Sequence, residues 1–439
     1  MKYRLSMPSW LKIATWLLLA SIATFSFKKP TFFWDKTNIN DLLLLLSFAC
    51  LIVAGIKKEI QLPICRSVLI WGIIGLGSIV LATTISILHL HILAPQALRE
   101  YARIFADSAI AYEIYCIGSV DGSLVCKSLS ALVLSSILLP FIFYAPISIR
   151  TFFLDDSLTR FTGFLYDPNY YATLELLPAF IFAWKAFTDL YKKKRLLSII
   201  SFLLFSLSIG SIMWSGSRGS VAGLLVGMAT VIGFGMWKKI SYKKLGVLVC
   251  LLITGLLLGY VLLPRTGQQN ITSRVGAITQ AQPPLENGAK PSGILHIPAP
   301  LQEISAQQGR QVIWENALVQ IINNPLGYGT DYGNVTDIQG GNNDHHRVAH
   351  NTFLQILLTG GVVLLVTLTV GTLALARKIM AARAPFGVIY FLSAALISIM
   401  AAGFFLDSLW SRWVWIIIGL LLLLAEHKDT GRLTLEHTL

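Results

Sequence analysis

The residues best suited to chemistry gather just ahead of an apolar block at 351–376. Asn342, Asn343, Asp344, His345, His346 and Arg347 form a dense polar run, and His350-Asn351 leads straight into the block. Imidazole is the usual proton acceptor near neutral pH, so His350 is a candidate base. A structural histidine at a membrane boundary is the plainer alternative. His346 and His350 are four apart, a spacing that suits metal ligands. No HExxH pattern or cysteine partner accompanies them, so no metal is assigned. Arg218 lies in WSGSRGSVAG, a very short turn where two apolar blocks meet. The glycines and serines there let a backbone and a ligand come close. A guanidinium in that place suits a phosphate, which it can hold with two parallel hydrogen bonds. The alternative is an arginine that only anchors a helix end. Arg310 opens a further helical stretch, and Arg265 and Arg274 precede it. Taken singly, Arg265 and Arg274 read as ordinary solvated charge.

Carboxylates add a second set. Asp167-Pro168-Asn169, in RFTGFLYDPNYYA, forms a turn before an apolar block. Its functional alternative is a loop closing over a cavity, with Tyr166, Tyr170 and Tyr171 as an interfacial aromatic belt. Glu175 lies about one turn into that block and should pair with an arginine or face a cavity. Arg103 and Asp107 are four apart and could pair along one helix.

These residues need a frame, and the frame is hydrophobic. Of 439 residues, 55% are hydrophobic and 13% charged, about half the charged share of a soluble domain. The surplus sits in blocks long enough to cross a bilayer, near 10–27, 41–56, 67–89, 101–118, 127–147, 170–187, 196–214, 219–237, 245–263, 351–376, 385–404 and 410–425. The expected fold is all-α and polytopic, with about twelve transmembrane helices and one large polar loop. Residues 1–263 carry the first nine helices, 264–350 the loop, and 351–439 the last three helices and a tail. The first block, Trp10 to Phe27, lacks a small-residue cleavage site and is expected to be a retained helix.

A net charge of +13 invites a nucleic-acid reading. The distribution argues against one, because the cations lie in short runs on alternate connections. Lys57 and Lys58, Lys192 to Arg195, Lys238 to Lys244, and Arg377 to Arg383 fall on one side if the span count is even. That side, with both termini, is then cytoplasmic. The five cysteines show no metal or redox spacing. Within the loop, the middle is rich in Pro, Gly and Gln and reads as extended. Arg310 to Asn323 has Val312, Ile313, Ala317, Leu318 and Ile321 at helical spacing, and Pro325 ends that helix.

Three segments resemble one family. RFTGFLYDPNYYA, then SGSRGSVAGLL, then PLGYGTDYGN followed by AHNTFLQILLTGG are similar to the successive motifs of the O-antigen ligase and polymerase superfamily. The likeness covers about residues 155–365 directly. It implies a glycosyltransferase of the multi-span GT-C-like type, inverting, metal-independent and without cofactor. It implies a site on the periplasmic face of the bacterial inner membrane. The donor would be a glycan on undecaprenyl pyrophosphate. His350 maps onto the family's essential loop histidine, Arg218 onto the arginine of the short turn, and Arg310 onto the arginine of the loop helix. Arg274 is a weaker match. Arg347, Asp167, Asn169, Tyr328 and Asn351, in or beside these motifs, are candidate substrate-binding residues. A lipid pyrophosphate is already a good leaving group, so arginines can do the holding that a metal does in other transferases.

The favoured function is an O-antigen ligase of lipopolysaccharide biosynthesis, with lipid A–core as acceptor and membrane lipids around it. A polymerase would use a second lipid-linked repeat as acceptor, and a close cousin would transfer the glycan to a protein. A transporter would place Gly/Pro-broken spans in corresponding halves, and no such two-fold pattern is present.

Overall fold

The computed structural model describes residues 9–24, 39–60, 66–90, 94–154, 160–163, 165, 167–279, 310–331, 351–381, 386–406 and 411–426. The helices are α1 (Ser9–Thr24), α2 (Ile39–Ile56), α3 (Arg66–Leu90), α4 (Ala94–Val120), α5 (Leu124–Leu132), α6 (Leu134–Ile137), α7 (Leu139–Phe143), α8 (Ile147–Arg150) and α9 (Pro168–Tyr191). They continue with α10 (Arg195–Ser215), α11 (Arg218–Trp237), α12 (Tyr242–Val261), α13 (Arg265–Thr279), α14 (Arg310–Asn323), α15 (Thr352–Ala381), α16 (Val388–Ala402) and α17 (Arg412–Glu426). Among the described residues the β-structure is one isolated bridge, Leu154 to Phe161.

Each apolar block of the sequence holds helix, with one difference. The block at 127–147 is not one rod but the chain of short helices α5 to α8. Pro140 and Pro146 fall at the starts of α7 and α8. Proline has no N–H to continue the ladder, so the helix restarts at each. By length and composition α10, α11, α12 and α15 can each cross a membrane, and 9–24, 42–56, 72–88 and 388–402 are shorter apolar helices.

α9 forms the centre. Every residue from Tyr171 to Trp184 is buried, the mark of a helix enclosed on all sides. It packs chiefly on α10 and α16, while α11 pairs with α16, α4 with α17, and α3 with α15. Small residues permit the closest crossings. A Cβ added at Gly210 would sit 2.7 Å from the Gly259 carbonyl oxygen, so α10 and α12 meet backbone to backbone.

Two buried carboxylates take partners that the sequence did not mark. Glu175 is fully buried and accepts from the Ser136 hydroxyl, 3.0 Å from each oxygen. Its donor comes from α6, inside the broken segment. Asp107 accepts from Arg412 Nε at 2.9 Å. The partner is on α17, across the bundle, because α4 turns that carboxylate inward at 1% exposure.

Candidate functional site

Three helices begin together at one end of the bundle, each with a side-chain cap. Asp167 Oδ1 accepts from the Asn169 and Tyr170 amides, at 2.6 and 3.1 Å, with Pro168 at the first position of α9. Ser217 Oγ accepts from the Ser220 amide at 3.4 Å and starts α11. Asn351 Oδ1 accepts from the Phe353 and Leu354 amides, at 2.9 and 3.2 Å, ahead of α15. A cap satisfies amides that a helix start leaves bare.

Cross-links fix these starts relative to one another. Thr173 and Ser220 hydroxyls lie 3.2 Å apart and join α9 to α11. Gly219 packs against Ala402 and Phe405, with no room for a side chain. The same stretch holds α15, since the Thr352 amide donates to Gly403 O at 2.7 Å and Asn351 Nδ2 to Phe404 O at 3.1 Å. Arg160 donates from Nε to Ser215 O and from an Nη to Asn169 Oδ1, both at 2.7 Å. It therefore clamps the end of α10 to the start of α9. Trp214, fully buried, stacks on Phe161 at 5.0 Å and 19° beneath this clamp.

Arg218 is the first residue of α11 and is exposed. Gly216, at φ 66°, supplies the left-handed step that ends α10 and turns the chain so tightly into α11. A free guanidinium beside several helix N-termini makes an anion-attracting end, because the helix dipoles place partial positive charge there. α13 lies at the same end, with Asn270 Nδ2 donating to Trp214 O at 3.3 Å. Arg274 is on this helix. An open groove of about 600 Å³ beside it is lined by Tyr260, Arg265, Gln268, Gln269 and Thr272.

The turn after α14 is tied to the membrane helices. α15 breaks at Gly361, which has φ 65° and ψ −160°. In an unbroken helix the Val362 amide would donate to Leu358 O. Here Val362 N donates instead to Pro325 O at 2.9 Å, and Leu358 O accepts from Tyr328 N. The turn thus takes over both halves of the missing helical bond. Ser86 Oγ on α3 donates to Tyr328 O at 2.6 Å, which fixes the turn from the other side. Tyr328 is itself buried, its hydroxyl donating to Gln320 Oε1 at 3.0 Å. Burial pushes its phenol above the usual tyrosine value.

Of the residues marked in the sequence, Arg218, Asp167, Asn169 and Asn351 come together at the capped end. Tyr328 sits beside the first turns of α15, with its ring against Leu354 and Leu358. Arg310 begins α14 as expected. The apolar side of α14 turns Trp314, Ala317 and Ile321 toward the same cluster, whereas Leu318 is 48% exposed. His350 and Arg347 lie outside the described residues. The Thr173–Ser220 pair was not marked in the sequence, and Arg160, which opens the motif RFTGFLYDPNYYA, was given no role there. For Arg160 a signal exists, since it is the one cation between Thr151 and Trp184.

Replacing Asp167 by alanine removes two amide acceptors and should lower stability by about 1 kcal/mol, whereas Asp167→Asn keeps the cap. Thermal unfolding in detergent checks this. Equal melting of both variants would sink the capping account.

Residues 203–369 match the family model described as O-Antigen ligase. The stretch runs from within α10 through the Arg218 turn, the loop and the kink of α15. No curated protein matches the chain. The match and the apolar helices together support a multi-pass membrane protein with an O-antigen ligase or polymerase type of function.

Proposed function

We propose, from the O-Antigen ligase match over residues 203–369, that the protein is a glycosyltransferase moving O-polysaccharide from undecaprenyl pyrophosphate to a sugar of lipid A–core. The observation that carries this reading is the exposed Arg218 at an end where α9, α11 and α15 all begin. A pyrophosphate needs concentrated positive potential, and the guanidinium with the clustered helix starts supplies it.

The step balances simply. The bond from the sugar anomeric carbon to the pyrophosphate oxygen breaks, and the pyrophosphate leaves with the electron pair. The acceptor hydroxyl oxygen bonds to that carbon from the opposite side, which inverts its configuration. Its proton is taken or steered by His350. Arg218 and Arg310, with Arg274, hold the leaving charge. Fixed cations aimed at developing charge lower a barrier more than mobile ones. Asp167, Asn169, Tyr328, Asn351 and Arg347 line or shape the approach of the glycan. The basic turns at the far end of the bundle support a periplasmic site in the inner membrane, with both termini in the cytoplasm.

Reconstitution with a lipid-linked glycan and lipid A–core, in chelator, tests the reading. Glycan appearing on lipid A–core is the expected result. If only longer lipid-linked chains form, the acceptor is a second repeat unit and the protein is a polymerase. If neither forms while the lipid-linked glycan changes leaflet, the transferase reading fails.

A further inference from the structure

The opposite end of the bundle carries a second charged surface that the glycan reading does not use. Lys192, Lys193, Lys194 and Arg195 make the turn from α9 to α10. Lys238, Lys239, Lys243 and Lys244 make the turn from α11 to α12. No Asp or Glu occurs between residues 190 and 285. The nearest carboxylate, Asp189, is buried and takes Lys185 at 3.0 Å. These turns are therefore cationic over a long stretch of sequence, and most of their lysines are exposed.

Lysine stands in the left-handed region at both turns, Lys193 with φ 61° and Lys239 with φ 51°, as Lys58 does after α2 with φ 57°. Glycine is the usual residue at such a position and avoids a cost of about 1 kcal/mol. Lysines there keep a cation at the rim of each turn despite that cost. The two turns are also joined by a floor of aromatic rings. Lys244 Nζ lies 5.2 Å from the Tyr191 ring, and Lys238 Nζ lies 5.2 Å from the Tyr390 ring. Phe187 and Phe386 connect those two tyrosines, through ring distances of 5.0, 6.1 and 5.8 Å. The ends of α9, α11, α12 and α16 are thereby drawn into one surface.

Apolar surface continues directly from the cations. Below Arg195, α10 exposes Leu196 at 71%, Ile199 at 56%, Ile200 at 44% and Leu203 at 41%. These lie at helical spacing on one side, running away from the charged turn. A ligand with a phosphate at one end and long hydrocarbon at the other fits both halves. A free phosphate would leave the apolar stripe unused.

We propose that this end is a binding site for the anionic headgroup of a diacyl phospholipid, with its phosphodiester between the two lysine turns and its chains along α10. It does not depend on the transferase reading, since it concerns the other end of the bundle. Each lysine near an anionic lipid surface contributes about a fivefold change in affinity. Lys193→Gln combined with Lys244→Gln should thus weaken retention about thirtyfold. Lys57→Gln combined with Lys58→Gln is the control of equal charge, because Glu59 adjoins that pair.

The experiment uses the full chain purified in detergent and offered phosphatidylglycerol, phosphatidylcholine or inorganic phosphate. Native mass spectrometry counts what stays bound. The expected result is retained phosphatidylglycerol in the wild type and in the control, and its loss in the Lys193/Lys244 variant. Equal loss in both double variants, or no loss in either, would reduce the lysines to topological signals and overturn the site. Phosphatidylcholine or inorganic phosphate held as well as phosphatidylglycerol would overturn it too.

Discussion

Arg218→Ala protein should fold and insert normally yet transfer glycan about a hundred to a thousand times more slowly. That range is what loss of one preorganised donor to a developing anion usually costs. The side chain is exposed at the first position of α11, and the turn is held by Ser217 and Gly216 rather than by the guanidinium. Unfolding should therefore stay within about 0.5 kcal/mol of the wild type. Arg218→Lys keeps the charge but not the planar fork, so recovery should be partial. Glycan transfer to lipid A–core in chelator gives the rate, and tryptophan fluorescence gives the stability. His350→Ala should fall as far, with the loss concentrated in the chemical step. If both variants transfer at wild-type rate, the roles proposed for these two residues are wrong.

Gly361→Val should cost at least about 3 kcal/mol of stability. The backbone there, at φ 65° and ψ −160°, lies in a region open almost only to glycine. An added Cβ would also run into Pro325 O and the Leu326 backbone. Backbone cannot yield as a flexible side chain can. The turn at 325–328 would have to leave α15, and α14 would lose its attachment. Gly371→Val, in the same helix with nothing within 4 Å of a Cβ, is the matched control. Thermal unfolding compares them, and limited proteolysis reports release of the loop. Should the two valine variants melt together, the interlock is not structural.

Much of this frame was legible in hydropathy, because membrane helices satisfy their backbone internally and announce themselves by length. The blocks at 196–214 and 219–237 fall inside α10 and α11 almost end to end. α14 spans the stretch marked by its apolar spacing and its terminating proline. The break of 127–147 into α5 to α8 was less legible, although Pro140 and Pro146 are visible in the sequence. Mean hydropathy does not register where a ladder restarts. Side-chain partners were the least legible. Asp107 accepts from Arg412, 305 residues further on. Local spacing describes what one helix surface can do, and it carries no sign of a partner across the bundle. At the site, the motifs marked Arg218 and Asn351 but not the links between them. Those run through backbone carbonyls at 403 and 404, which carry no sequence signal. The paired glycines in LLTGG had the same status, since a motif does not say what fills the gap they open.

That filled gap has a dynamic consequence. The Val362 amide sits in a long apolar helix, where exchange with solvent deuterium is normally very slow. Its acceptor, however, is Pro325 O, which belongs to the polar loop. Whenever the turn lifts from α15, this amide loses its partner. Its exchange rate is therefore a built-in clock for undocking of the loop, readable from inside the membrane helix and without any label on the loop itself.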